Sequence, residues 1–175
     1  MKILIDARLY GLENAGLGRY VINLIAGLVK LDTKNKYYLL LRDKYFNELK
    51  LPENWIKIKA EYGHYGLKEQ IKVPCLIWKY GPDLVHFPHF NVPLFCPKPY
   101  VVTIHDLLMH KQKGLETTTL PIWKYSLKRL GYRVVFDTAV RGARHIIVPS
   151  KTVAQELTAW YKIPQDKITI TYEGV

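Results

Sequence analysis

The sequence contains little cysteine and few acidic side chains. Cys75 and Cys96 are its two cysteines, and they form neither a CxxC pair nor a metal-ligand spacing. A disulfide scaffold is therefore not supported, and a reducing cytosol is the expected compartment. Against 26 Lys and Arg there are 15 Asp and Glu, so the formal net charge is +11. Such a charge favours anionic partners: phosphates, acidic sugars, anionic lipid or nucleic acid.

Long hydrophobic runs are also missing from the sequence. The apolar run at 3–5 is stopped by Asp6 and Arg8, far short of the apolar core of a secretory signal. No run approaches the roughly 20 residues of a membrane-spanning helix. Because 49% of the 175 residues are hydrophobic, the chain can still bury the core of one domain. We expect a cytoplasmic protein that is soluble or lies at most on a membrane surface.

Short β-rich apolar segments alternate with segments of helical period along the chain. The predicted strands are 2–5, 37–41, 56–60, 84–86, 100–104, 146–148 and 168–171. The predicted helices are 20–31, 68–80 with Pro74 near a bend, 121–142 as one helix or two, and 152–160. This alternation is typical of βαβ units, so it predicts an α/β fold with a parallel sheet covered on both faces.

Residues that follow the strands are the candidate ligand-binding residues, because such a sheet binds ligands beyond the carboxyl ends of its strands. A loop predicted at 11–18 follows the first strand and contains Gly11, Gly16 and Gly18. Glycines at a strand-to-helix turn let backbone N–H groups approach a phosphate, and Arg19 favours an anion there. The spacing is neither a P-loop nor GxGxxG, however, so a plain tight turn is an equal alternative.

Histidines follow two of the later strands. His86 and His89 could join His105 and Asp106 in a metal site, but their aromatic and proline neighbours favour a structured loop, and we expect no metal. His105 and Asp106 could polarise a ligand or move a proton. An equal alternative is a histidine bonded to a neighbouring loop and an aspartate that caps the next turn.

The region 111–145 is basic and rich in aromatic residues. Its cations include Lys111, Lys113, Lys124, Lys128, Arg129 and Arg133, and Trp123, Tyr125 and Tyr132 lie among them. Such a helix could lie on an anionic lipid surface. The alternative is a solvated basic face with the tyrosines in the core. No nucleic-acid-binding signature accompanies the charge, so we expect no nucleic-acid partner.

A series of short motifs, in order and in phase with the predicted strands, is similar to a known family. The motifs lie at 5–8 with 16–20, at 69–70, 83–88, 103–107 and 147–151, and in the closing segment 167–175. Over nearly its whole length the chain resembles the N-terminal half of a GT-B glycosyltransferase of the retaining family 4. The resemblance implies a Rossmann-like, doubly wound and mostly parallel sheet.

The resemblance also implies a function and a domain organisation. Residues 1–171 would form the acceptor-binding domain and 172–175 would begin an interdomain linker, with the donor-binding domain absent. The complete enzyme, a hexosyltransferase, would move a sugar from a nucleotide-sugar to a glycan or lipid-linked acceptor without a cofactor, and this fragment alone would be inactive. The alternative is a non-catalytic Rossmann-like module that binds a nucleotide or an anionic sugar.

Roles for individual residues follow from the same resemblance. His105 would contact the donor sugar and Asp106 would orient its loop. The implied donor-binding residues are Gly16, Gly18, Arg19, Ser150 and Lys151. Acceptor residues vary between members of the family, so Arg8, Tyr10, His89 and Asn91 are predicted only from their positions near strand ends. The implied location is cytoplasmic, with contact to the inner face of the membrane through the basic region.

Overall fold

Seven strands form one sheet within residues 1–108 and 122–172, the part of the chain that the structure, a computed structural model, describes. In the helix that begins at Ile122, side chains are described from Ser126 onward. The strands are β1 (Lys2–Asp6), β2 (Lys36–Leu41), β3 (Trp55–Lys59), β4 (Leu84–Phe87), β5 (Tyr100–Thr103), β6 (His145–Val148) and β7 (Ile168–Ile170). Each predicted strand is therefore present, with bounds within one residue of the expected ones.

The sheet is parallel at every pairing, in the order β3-β2-β1-β4-β5-β6-β7. Ile3 of the central strand β1 pairs with Tyr37 on one side and with Leu84 on the other. The chain builds outward from β1 in one direction and then, from β4 on, in the other. The doubly wound, Rossmann-like arrangement expected from the sequence is confirmed, and its switch point lies between β1 and β4.

Helices cover both faces of this sheet. They are α1 (Ala15–Leu31), α2 (Asp43–Phe46), α3 (Leu67–Tyr80), α4 (Ile122–Gly142) and α5 (Lys151–Tyr161). Short 3-10 turns occupy Leu12–Asn14 and Gln165–Lys167. The helix α3 continues through Pro74, and α4 is a single helix. Within the described residues, no helix combines the length and the apolar character that a bilayer span requires.

The start of α1 corrects the sequence prediction. The helix begins at Ala15, so Gly16, Gly18 and Arg19 lie in its first turns rather than in or beside a loop that extends to residue 18. The chain reverses at Gly11, which has a φ of 127°, and in the 3-10 turn that follows, so the loop ends four residues earlier than expected. The three glycines at 11, 16 and 18 therefore indicated a longer loop than the one that is present.

Alternate residues of the strands fill two separate cores. Leu4 of β1 packs in a cluster with Val73 of α3 and Phe136 of α4, whereas the next residue, Ile5, packs with Val21 of α1. Successive side chains of a strand point to opposite faces, and both faces of this sheet are covered, so both are apolar. Polar side chains are consequently displaced to the ends of the strands, where the candidate site lies.

Candidate functional site

A small cleft lies at the carboxyl ends of β1 and β4, where the strand order reverses. Open α/β sheets bind their ligands at such a point. The cleft is lined by Asp6, Leu9, His64, Phe87, Pro88, His89 and Asn91. Two of the predicted acceptor residues, His89 and Asn91, therefore lie together at this cleft, although they were chosen only for their positions near a strand end.

Arg8 lies beside the cleft and is completely buried. Its Nε and Nη2 donate to the two carboxylate oxygens of Asp6 at 2.7 and 2.6 Å, and Nη2 also donates to Oε1 of Glu69. Nη1 donates to the carbonyl oxygen of Tyr62 at 3.2 Å. The guanidinium thus joins the end of β1, the helix α3 and the loop that precedes α3. A contact between Arg8 and an acceptor stays a prediction.

The charges of this cluster support one another. Burial alone would raise the pKa of Asp6, but the adjacent Arg8 guanidinium holds that pKa below its usual value. Burial alone would likewise lower the pKa of Arg8, yet the Asp6 and Glu69 carboxylates raise it. Both partners therefore remain ionised at neutral pH, as a buried pair must if it is to be stable.

Asp6, His64 and Glu69 are, within the described residues, the group whose ligand atoms lie close enough together to hold a metal ion, all within 4.8 Å of one another. The cationic Arg8 already bonds to both carboxylates. The carboxylate oxygens that would coordinate a metal therefore already accept hydrogen bonds from the guanidinium. The arrangement fits an internal ion-pair cluster better than a metal centre, because the protein supplies its own cation.

Glu69 organises the loop that follows β4. Its two carboxylate oxygens accept from Nδ2 of Asn91 at 2.7 and 2.8 Å, and Oε2 also accepts from the backbone N–H of Tyr65 at 2.8 Å. In the sequence, Glu69 stands out only as part of a motif, without a role of its own. Its position four and eight residues before Val73 and Ile77, on the buried face of α3, is a signal that could have identified it.

His105 follows β5 and lies close to the N-terminal part of α1. Its Nε2 is 2.9 Å from the carbonyl oxygen of Pro88, so Nε2 carries the proton and donates. The imidazole packs edge-on against the ring of Tyr20, with centroids 4.7 Å apart. Tyr20 is two residues after Gly18, so the structure brings His105 and the glycine segment to the same edge of the sheet.

Thr103 connects the elements beneath His105. Its hydroxyl lies 3.0 Å from Nε2 of His86 and 3.1 Å from the hydroxyl of Tyr20. Burial, with a smaller effect from the charge of His105, lowers the pKa of His86 to about 4. A neutral, partly buried set of hydrogen bonds therefore links β4, β5 and α1 beside His105.

In the glycine segment, residues 11–18, close packing explains why position 18 is a glycine. A Cβ on Gly18 would lie 1.8 Å from the carbonyl oxygen of Gly11, so only glycine lets α1 approach the preceding turn. Gly16 is exposed, and a Cβ there would meet nothing within 4 Å. Arg19 is exposed, and the side chain of Asn14, the N-cap residue of α1, makes no capping hydrogen bond. Contacts of these residues with a donor stay predictions.

The remaining predicted site residues have local partners. Ser150 caps α5, and its hydroxyl accepts from the N–H of Val153 at 3.3 Å, while Lys151 is exposed at the first position of that helix. Asp106 caps the following turn by accepting from the N–H of Leu108 at 2.9 Å. Tyr10 packs against the ring of Tyr45, with centroids 5.1 Å apart, and does not line the cleft. Roles of these residues in binding a sugar stay predictions.

The basic helix α4 differs in detail from its prediction. Lys111, Lys113, Lys124 and Tyr125 lie outside the residues whose side chains the structure describes. Lys128 and Arg133 are exposed, whereas Arg129 is half-buried. Tyr132 packs against Phe90 and Phe136, so it belongs to the core and not to an exposed aromatic face. The exposed apolar residues of the helix are instead Leu127, Leu130 and Val134.

Comparison with known proteins decides the family. A family model described as Glycosyltransferase Family 4 matches residues 15–175, most of the chain. The chain belongs to this family. The resemblance inferred from the motifs is therefore confirmed at the level of the family.

The individual proteins to which this chain is similar are distant in sequence. An uncharacterized glycosyltransferase from Methanocaldococcus jannaschii is 21% identical over 119 residues, which cover 68% of this chain and 27% of that protein. A glycosyltransferase from Rickettsia africae, known as a crystal structure, is 18% identical with a TM-score of 0.47. That match covers 99% of this chain and 43% of the solved chain, so this family 4 chain spans less than half the length of either protein.

Proposed function

We propose that this family 4 chain is the acceptor-binding domain of a retaining glycosyltransferase. The complete enzyme would transfer a sugar, a hexose in the simplest case, from a nucleotide-sugar to a glycan or a lipid-linked acceptor. Membership of the family supports the class of reaction. The observation that carries the proposal is the position of His105, which is held by Pro88 and Tyr20 at the sheet edge where ligands of this fold bind.

A fixed imidazole at this position has a defined use. Its Nε2 proton is engaged by the carbonyl oxygen of Pro88, so the ring orientation is set before any ligand arrives. A donor sugar in contact with the ring would be positioned rather than deprotonated. Pre-set contacts of this kind act mainly in the transition state, because no reorganisation is needed as charge develops.

The departing diphosphate would be stabilised by the same edge of the sheet. The N-termini of α1 and α5 both lie there, and Arg19 and Lys151 are exposed beside them. Helix N-termini and basic side chains favour negative charge, so no metal or other cofactor is required for this step. Gly16 and Ser150 would contribute their backbone N–H groups, which lie in the first turns of these helices, whereas Gly18 would act by letting the helix approach the turn at Gly11.

The rest of the donor contacts would come from a second domain. This inference is supported by the share of the Methanocaldococcus jannaschii relative that the chain covers, 27%. We expect the purified 175-residue chain to bind nucleotide-sugars weakly and to transfer no sugar, because too few contacts remain to offset the cost of association. The assay is release of nucleoside diphosphate from a panel of nucleotide-sugars, compared with the full-length gene product. Rapid turnover by the chain alone would contradict the proposal.

We further propose that α4 rests on the anionic inner face of a membrane. Leu127, Leu130 and Val134 share an exposed helix face, and the exposed cations Lys128 and Arg133 flank it. Each such cation near an anionic leaflet contributes roughly 1 kcal/mol, so reversible binding is expected.

Co-sedimentation with vesicles tests this membrane contact. Vesicles of phosphatidylglycerol should retain the protein, neutral vesicles should not, and about 1 M salt should release it. Changing Lys128 and Arg133 to Gln should weaken the binding. The same change at Lys68 and Lys72, two exposed lysines of α3, is the matched control. Equal sedimentation with both vesicle types, or none with either, would count against the membrane as a partner.

A further inference from the structure

Glu69 is a charged residue of α3 that is completely buried. Its carboxylate accepts from the Arg8 guanidinium, from the backbone N–H of Tyr65 and, through both oxygens, from Nδ2 of Asn91. Burying a charge costs free energy, and replacing a whole buried ion-pair cluster by apolar side chains often leaves stability unchanged. The stability of the fold therefore does not account for this carboxylate by itself, and the segments that it joins indicate a second role.

The bond to Glu69 anchors the loop that follows β4, residues 88–93. Asn91 is buried, and its amide reaches from the middle of this loop to the helix α3. Phe90 anchors the same loop at a second point, where its ring packs against Phe136 of α4 with centroids 5.3 Å apart. The two anchors are adjacent in sequence but contact different helices, so together they fix the backbone of the loop.

Pro88, the first residue of this loop, contacts His105. Its carbonyl oxygen accepts from Nε2 of the imidazole at 2.9 Å, and Pro88 itself is buried. Because the proline ring fixes φ, the direction of this carbonyl depends on ψ and therefore on the path of the following residues. Asn91 lies three residues further on, a span of at most about 11 Å. Movement of the loop at Asn91 would therefore turn the carbonyl group that orients His105.

We propose that Glu69 is a positioning residue for His105. It acts through the amide of Asn91 and the carbonyl oxygen of Pro88, so that a path of hydrogen bonds and one short loop segment joins α3 to the residue after β5. Arg8 belongs to this path, because its guanidinium holds the Glu69 carboxylate in place. The proposal rests on the proposed function, in which the orientation of His105 positions the donor sugar.

NMR of the 175-residue chain with isotopically labelled histidine tests this path without any substrate. At about pH 8 an ordinary imidazole is neutral, and its protonated and unprotonated nitrogens have well-separated chemical shifts. In the wild type, Nε2 of His105 should be the protonated nitrogen, because it donates to Pro88. Loss of that bond lets the proton exchange between the two nitrogens, so their shifts should move towards each other.

Asn91→Leu breaks the path with little change to the rest of the ion-pair cluster. Glu69 keeps its bonds to Arg8 and Tyr65, and an apolar side chain of similar size fills the position. We expect the two nitrogen shifts of His105 to converge in this variant. They should also converge in Glu69→Gln, whose amide cannot accept from all the donors that face it. If Glu69→Gln does not fold, Asn91→Leu decides the test.

Gln70→Ala is the matched control. Gln70 is the next residue of α3, and its Oε1 accepts from the N–H of Leu94 at 2.9 Å, at an exposed position just beyond the same loop. This bond also joins α3 to the chain after β4, but it lies further along the chain from Pro88 than the bond of Asn91 does. The nitrogen shifts of His105 should therefore be the same in this variant as in the wild type.

Turnover by the full-length enzyme tests the consequence for sugar transfer. Asn91→Leu should lower kcat by about 10- to 100-fold, the effect of a small misplacement of a reacting group, with KM for the nucleotide-sugar nearly unchanged. The same substitution in a His105→Ala background should lower kcat no further, because a residue that acts through His105 has nothing left to position. Gln70→Ala should leave kcat unchanged.

Three results would overturn the proposal. They are nitrogen shifts of His105 that stay separate in Asn91→Leu, shifts that converge equally in Gln70→Ala, and a full additional loss of kcat when Asn91→Leu is combined with His105→Ala. Failure of the path is distinguishable from failure of the proposed function, because the NMR measurement requires no reaction. A full-length protein that transfers no sugar from any nucleotide-sugar would overturn the function, and with it the catalytic meaning of the path.

Discussion

Arg8 is the residue on which the buried ion-pair cluster depends. It lies between Asp6 and Glu69, so its removal would leave two carboxylates buried without a cation. We predict that Arg8→Met lowers the free energy of unfolding by about 3–5 kcal/mol, the usual cost of breaking a buried ion pair on one side. Denaturant titration measures this loss.

The matched control is an exposed ion pair of the same protein. Lys59 lies 3.3 Å from Asp43, and both side chains are more than half exposed. Lys59→Met should cost less than about 1 kcal/mol, because solvent screens such a pair. Equal losses in the two variants would show that the Arg8 cluster contributes nothing special to stability.

Replacing the two glycines at the start of α1 by alanine should change stability in opposite directions. Gly18→Ala places a Cβ against the carbonyl oxygen of Gly11 and should destabilise the protein by about 1–3 kcal/mol. Gly16→Ala meets open space and replaces a poor helix former, so stability should stay unchanged or rise by up to about 1 kcal/mol. Thermal melts of both variants decide the matter, and a Gly18→Ala protein as stable as wild type would refute the packing role.

At the scale of elements, the strands could be predicted because their signal is local. Apolar residues on both faces mark a strand such as β2 in any short window of sequence. The predicted start of α1 was wrong, because glycines indicate a turn without giving its length. The link between Arg8 and Glu69 could not be predicted, since 61 residues separate them and only the folded sheet brings β1 and α3 together.

His86 bonds to Thr103 and so joins β4 to β5, and its burial makes stability depend on pH. Burial lowers the pKa of His86 to about 4, whereas an unfolded histidine titrates near 6.5. Below about pH 6.5 the unfolded chain therefore binds a proton that the folded chain does not. Stability should be fully present above this pH and should fall towards pH 4 by about 1.4 kcal/mol per pH unit from this histidine.

Substitution of His86 measures how much this histidine contributes to the loss of stability at acid pH. His86→Gln keeps a hydrogen-bonding group near Thr103 but has no proton to gain, so the fall between pH 6.5 and 4 should be shallower. Some slope should remain, because burial also lowers the pKa values of His64 and His89. Urea titrations at several pH values measure the slope, and identical slopes for variant and wild type would rule out His86 as a source.

At the scale of the whole molecule, the parallel sheet gathers the candidate site at one edge. Residues that follow β1, β4, β5 and β6 are far apart in sequence, yet the carboxyl ends of these strands lie side by side. The sequence could predict this edge and the neighbourhood of His105 for that reason. It could not predict the orientation of the cleft-lining Asn91, because the amide is fixed by hydrogen bonds to Glu69 on another element.

The central claim is that this edge carries sugar transfer, and His105 tests it most directly. In the full-length enzyme, kcat and the melting temperature are measured for His105→Ala and for His145→Ala, a control at the opposite edge, where His145 bonds to Thr169. We predict that His105→Ala lowers kcat by about 10- to 1,000-fold with little change in melting temperature, the loss expected of a transition-state contact. His145→Ala should leave kcat per folded molecule unchanged. A His105→Ala enzyme with a lower melting temperature but near-normal kcat would contradict the account, because it would make His105 a structural residue.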